Sequence, residues 1–210
     1  LFLLTFVLAF RRDQIVSPSI LGILQVGGTA LALLPKSGGT SIWATLLLHL
    51  GLFLVHALIC HRALYASRPA TEKLTGFYLC LSIGGALGGI FCGLLAPHLF
   101  STVLEYPILI VAALLCGPCV LQAGRAELRS GLRAAAIVAT ATPLLLYAAS
   151  IVLSPVWVVK GTAIALASSM IVLWRSPSWM IPLALVLAVM SAGSRGAFDG
   201  TGTSRSFFGV

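Results

Sequence analysis

Apolar runs close to twenty residues long, separated by short gaps holding a charge, a proline or a glycine, recur along nearly the whole sequence. They occupy 15–34, 41–60, 74–96, 103–121, 134–153, 156–174 and 179–193, the last being the shortest. A helix needs about 20 apolar residues to cross a bilayer core about 30 Å thick. The runs lack the alternate-residue patterning of barrel strands, and backbone polar groups in lipid must find partners within their own segment or a closed barrel. The pattern therefore predicts an all-α chain: a polytopic transmembrane helical bundle of about seven spans plus a truncated first helix. Composition excludes the alternatives. Only 9% of the 210 residues are charged while 59% are hydrophobic, against about 25% charge in a soluble domain. That is too little to wet a globule of this size, and too much apolar surface for a disordered chain.

The formal net charge of +8 would raise nucleic acid as a partner in a soluble protein. Here the basic residues fall in the gaps between runs and no basic cluster is interleaved with aromatics, so nucleic-acid binding is not expected. If every run crosses, Arg11, Arg12, Arg62, Arg68, Lys73, Arg125, Arg129, Arg133 and Arg175 lie on one side. The positive-inside rule makes that side cytoplasmic. Lys36, Lys160, Arg195 and Arg205 fall on the other side, and this parity places residues 194–210 outside.

Leu1 lies within an apolar run that stops at Arg11-Arg12-Asp13. Ten helical residues rise about 15 Å, half of a span, and a signal peptide would carry its charges before the apolar stretch. The run reads as the tail of a transmembrane helix. Residues 1–193 form a transmembrane domain in this reading. Residues 194–210, polar and glycine-rich, read as a linker and the start of a soluble domain.

Several constellations could carry chemistry. Gly84, Gly85, Gly88, Gly89 and Gly93 repeat at four-residue spacing within one run. Absent side chains at that period let another helix backbone approach closely, and a helix-packing groove is the expectation; a substrate path along it is the alternative. His49 and His56 are seven residues apart, on one helix face and about 10 Å apart along the axis. That is too far to hold one ion. Interhelical hydrogen bonds are the plain reading, and haem ligation with partners from other helices is the alternative. His61 is placed at the interface beside Arg62. Cys116-Gly-Pro-Cys119 has the letters of a thiol redox motif, but it ends an apolar helix instead of opening one, so packing cysteines are expected. Lys160 and Glu105 lie near the ends of their runs. Both can snorkel, and Glu105 can cap the helix that follows at Pro107; charges at membrane depth are also functional suspects. With Tyr106, His49 and His56 they make up the candidate intramembrane polar site. No metal site is expected.

Leu48-His49-Leu50, Cys60-His61, Arg68-Pro69, Leu74-Thr75, Phe77-Tyr78, Ser82, Gly84-Gly85, Leu87-Gly88-Gly89, Leu95-Ala96-Pro97, Phe100 and Glu105-Tyr106-Pro107 together resemble one family. The segment resembles the membrane half of bacterial membrane-bound spermidine synthase-like proteins, fusions of a major-facilitator-like helical region to a soluble aminopropyltransferase-like domain. Arg205-Ser206-Phe207-Phe208-Gly209-Val210 is similar to the start of that soluble domain. The chain departs from the family at Gly76 and at Arg62-Ala63, where acids are common.

The resemblance implies a parent transferase that takes decarboxylated S-adenosylmethionine as co-substrate and hands an aminopropyl group to a diamine. It places the glycine motif and catalytic aspartates beyond Val210. This segment is then non-catalytic and holds no cofactor. Its expected partners are the lipid bilayer, its own soluble domain and a polyamine. The implied substrates are cytoplasmic, in conflict with the loop parity, unless 179–193 does not cross. Two rival classes stand beside this one: a small-solute transporter, and a membrane thiol-redox or haem protein using His49, His56 and the Cys116/Cys119 pair.

Overall fold

The computed structural model describes residues 2–11, 16–34, 41–100, 105–117, 120, 125–150 and 155–198. Among them all regular structure is helical and no strand occurs. The helices are α1 (Phe2–Ala9), α2 (Pro18–Leu33), α3 (Ile42–Ala66), α4 (Leu74–Ile90), α5 (Ala96–Leu99), α6 (Glu105–Leu114), α7 (Arg125–Ser150), α8 (Pro155–Val172) and α9 (Pro177–Phe198).

Proline sets three of the starts. Pro18, Pro155 and Pro177 each occupy the first helical position, where the missing N–H would have lacked a partner and the fixed φ already suits a helix. Ser17 completes the first of these starts, its side chain accepting from the Ser19 N–H at 3.3 Å. Pro107 falls in the first turn of α6, where a missing N–H breaks no intrahelical bond. Pro182 is accommodated inside α9.

A 3₁₀ turn (Thr71–Lys73), α4, a π turn (Phe91–Leu95) and α5 run on as one apolar rod, Thr71–Leu99, of 29 residues. The wide turn has a local cause. Pro97 offers no N–H to the carbonyl four residues back and its ring would collide with it. The preceding turn expands instead, the Ala96 N–H reaching the Phe91 carbonyl.

Among the described residues two helices are long and apolar enough to cross a membrane, Ile42–Ala66 and Thr71–Leu99. At 25 and 29 residues they rise about 37 and 43 Å. The expected seven spans are therefore not supported. Pro18–Leu33, Trp157–Val172 and Pro177–Ser191 are apolar but shorter. Helix starts and stops cut across the apolar runs. Within 103–121 the described helix α6 covers Glu105–Leu114, and within 15–34 α2 covers Pro18–Leu33.

The main core lies where α2, α6, α7, α8 and α9 meet. Val26, Leu33, Leu114, Val138, Met170, Met180 and Leu187 are packed there. Gly22 sits under the indole of Trp174, so close that a Cβ would lie 2.8 Å from the ring. α1 lies along the last turns of α3, where Ala9, Leu21, Leu58 and Ile59 form a second cluster. The rod Thr71–Leu99 is different. From Thr71 to Leu95 not one residue is buried, and Leu79, Leu87 and Leu94 are all about three-fifths exposed.

Candidate functional site

α3 carries three of the chain's four histidines, and each meets a hydroxyl from a different helix. Tyr106 of α6 brings its hydroxyl 2.5 Å from His49 Nδ1, with the two rings edge to face at 5.3 Å. Thr29 of α2 lies 3.5 Å from His56 Nε2. Thr5 of α1 lies 3.2 Å from His61 Nδ1. The row ties three neighbouring helices to one axis.

Proton positions follow from the second partner of each group. His56 Nδ1 lies 3.1 Å from the Leu52 carbonyl. A carbonyl only accepts, so Nδ1 carries the hydrogen and Nε2 accepts from Thr29. The Thr5 hydroxyl donates to the Phe2 carbonyl at 2.8 Å, so its oxygen accepts from His61 Nδ1–H. His56 is thus a neutral donor–acceptor unit with a partner on each ring nitrogen, as a buried polar group must be, and His61 donates from Nδ1.

His61 is buried, with Phe2 and Phe6 edge-on at 4.7 and 5.3 Å. The reason is α1, whose apolar face covers the end of α3. Arg62 does reach outward, donating to the Val16 carbonyl at 2.7 Å.

Of the expected polar site, Tyr106 and His49 come together, and His56 lies about two turns further along the same helix. Glu105 opens α6, and its side chain is outside the described residues. Lys160 is elsewhere, its ammonium 5.5 Å from the ring centre of Trp157 on its own helix. At Gly84, Gly85, Gly88, Gly89 and Gly93 an added Cβ would find nothing within 4 Å among the described residues. Cys119 lies outside the described residues.

Two features went unread in the sequence. Gln25, 2% exposed, donates from Nε2 to the Ala113 carbonyl at 2.9 Å. That carbonyl is in the last turn of α6, where helical carbonyls lose their intrahelical donors; a lone amide in an apolar run was the available signal. The second is the seating of Cys116, half-buried and unbridged against the cluster of Ala9, Leu21, Leu58 and Ile59, at the end of α3 that also carries Cys60. Among the described residues no group of three or more His, Cys, Asp or Glu side chains could hold a metal ion. Chemically the row is a set of neutral hydrogen bonds that joins helices.

No family model, no curated protein and no solved structure matches the chain.

Proposed function

We propose that this chain is a membrane-embedded helical module whose work is to anchor. The observation that carries this reading is the largely apolar rod Thr71–Leu99, 29 residues long with no buried side chain before Ala96. In water such a rod would expose a continuous apolar surface far larger than soluble monomers tolerate; lipid solvates it at no cost. Ile42, Trp43, Leu47 and Phe53, exposed along α3, extend the same surface. The shorter apolar helices belong to the embedded body in this reading, which keeps the seven-run bundle as its finer form.

Cys80 and Cys92, both exposed on the rod, provide the test. In membranes from expressing bacteria the chain should stay in the pellet through alkaline carbonate, and a charged maleimide should label neither thiol until detergent is added. Release as a monodisperse soluble species with both thiols labelled overturns the reading.

The finer proposal is that the module belongs to a bacterial spermidine synthase-like fusion, in the inner membrane, with a soluble aminopropyltransferase-like domain as partner and a polyamine handled near Glu105 and Tyr106. The motif resemblance between His49 and Pro107 supports it. Reading the gene past Val210 tests the proposal. A continuation with alternating strands and helices and an early glycine motif supports it; a stop codon ends it.

A further inference from the structure

Contacts between helix ends bring arginines from separate parts of the chain to one end of the bundle. Arg62 of α3 donates to the Val16 carbonyl, just ahead of α2, at 2.7 Å. Gly22, in the second turn of α2, lies under Trp174, and Arg175 stacks on that indole with its guanidinium carbon 5.0 Å from the ring centre. Ser178 follows in the first turn of α9 and meets Gly131 of α7, where an added Cβ would lie 3.4 Å from the Ser178 Cα. Gly131 stands between Arg129 and Arg133. In sequence, the gaps that belong to this end hold nine basic residues against three acids, Asp13, Glu72 and Glu127. What the end faces is written along α7. Its inner face runs through Gly131, Ala134, Val138 and Thr142, the last three buried. The opposite stripe is exposed and changes character: Arg129 and Arg133 come first, then Ile137 and Leu144, both more than half exposed. Thr140, on the same stripe, returns its hydroxyl to the Ala136 carbonyl at 2.9 Å.

We infer that this end of the bundle binds anionic phospholipid, with Arg129, Arg133 and Arg175 on the headgroup phosphates and Ile137 and Leu144 against the acyl chains. From Arg133 to Leu144 the helix rises about 16 Å, half of a hydrocarbon core about 30 Å thick. An outward face that passes from guanidinium to bare aliphatic side chain over that distance follows the passage from phosphate layer to acyl chain. An acidic protein would meet the arginines and leave Ile137 and Leu144 uncovered. The guanidinium fork pairs with two phosphate oxygens at once, and stacking on Trp174 orients Arg175 while leaving its N–H edge open. Arg68, exposed at the end of α3 with its guanidinium carbon 5.5 Å from the Tyr65 ring centre, adds to the same field. Phosphatidylglycerol keeps the full charge of its phosphate, whereas in phosphatidylcholine a quaternary ammonium cancels it, so the arginines select the first. The inference rests on the anchoring role and adds a lipid preference to it.

Tryptophan quenching tests it. W43F with W157F removes two exposed indoles and leaves Trp174 and Trp179 as reporters at the basic end. The full chain is placed in vesicles that mix phosphatidylcholine with phosphatidylglycerol, one or the other brominated on its acyl chains. Quenching should show a preference of about fivefold for phosphatidylglycerol, the weight of about one basic residue near an anionic surface. The preference should shrink as salt rises and stay unchanged when inorganic phosphate replaces chloride at equal ionic strength. R129Q with R133Q and R175Q, all at exposed positions, should be quenched equally by both lipids. Equal quenching before the arginines are replaced, an undiminished preference after it, or loss of the preference to inorganic phosphate overturns the inference and leaves the chain embedded. Quenching by neither lipid overturns the anchoring role as well.

Discussion

Tyr106 Oη and His49 Nδ1 stand 2.5 Å apart across the contact of α6 with α3. Beside them Ala32, Leu52 and Ile110 form a small buried cluster against which Leu48 and Tyr106 pack. The hydrogen bond therefore sits on the edge of an apolar contact and fixes the position of a ten-residue helix. Y106F keeps the ring and removes the hydroxyl. Hydrogen bonds between membrane helices average about 0.6 kcal/mol and reach about 1.7. The variant should lose an amount in that range in reversible unfolding in mixed micelles. A double-mutant cycle with H49F should return the same value as coupling; additive losses would show that the two groups do not act together.

His56 offers a spectroscopic check that needs no unfolding. Its Nδ1 donates to the Leu52 carbonyl at 3.1 Å and its Nε2 accepts from Thr29 at 3.5 Å. Ring ¹⁵N shifts should show a protonated Nδ1 and a bare Nε2, the less common tautomer of a free imidazole. In T29V the Nε2 resonance should move while Nδ1 stays, because only one partner is lost. The long distance makes the stability loss small, below about 1 kcal/mol. An Nε2–H signal in the wild type would mean that the carbonyl contact has been misassigned.

The helical class and the two long spans were legible because hydropathy over twenty residues reports burial in lipid or protein directly. α3 was expected over 41–60 and runs over Ile42–Ala66. Its extension through His61 and Arg62 was hidden because a charge reads as a gap, though the guanidinium simply reaches the Val16 carbonyl. α7 shows the same effect: it begins at Arg125 instead of 134, since the Arg, Ala, Glu and Leu that open it are good helix formers despite their charge. Residue partners were not legible. Nothing in the sequence marks which threonine faces which histidine, or that Cys116 seats against Leu58 and Ile59 of α3. Such pairings arise only when α1, α2 and α6 close on α3, and no local pattern encodes that closure.

Glycines separate into two sets that no sequence rule distinguishes. At Gly22 a Cβ would lie 2.8 Å from the Trp174 ring, and at Gly28 it would lie 3.0 Å from Leu52. At Gly84 and Gly88 it would meet nothing. G22A should cost about 1–3 kcal/mol, the usual range for overpacking, because the indole is itself packed against the main core. G84A with G88A should leave monomer unfolding unchanged, or raise stability slightly through helix propensity. Equal losses for both sets would require a partner in the groove of the isolated chain.

Gln25 allows the sharpest separation of size from charge. Its amide donates to the Ala113 carbonyl at 2.9 Å, and the Cys116 N–H also reaches that carbonyl, at 3.2 Å. Replacing the amide with an apolar side chain of similar volume therefore leaves the carbonyl with a donor. Q25L should cost less than about 1 kcal/mol, since removing a polar group whose partner stays satisfied is close to neutral. Q25E keeps the shape but sets a carboxylate against a carbonyl oxygen at a site only 2% exposed. An unpaired buried charge costs about 3 kcal/mol or more unless it takes up a proton. Q25E should thus unfold much earlier than Q25L at neutral pH and recover towards it as the pH falls and the carboxyl becomes neutral. A pH-independent gap between the two variants would show that Gln25 acts through its shape and not through the bond that closes the end of α6.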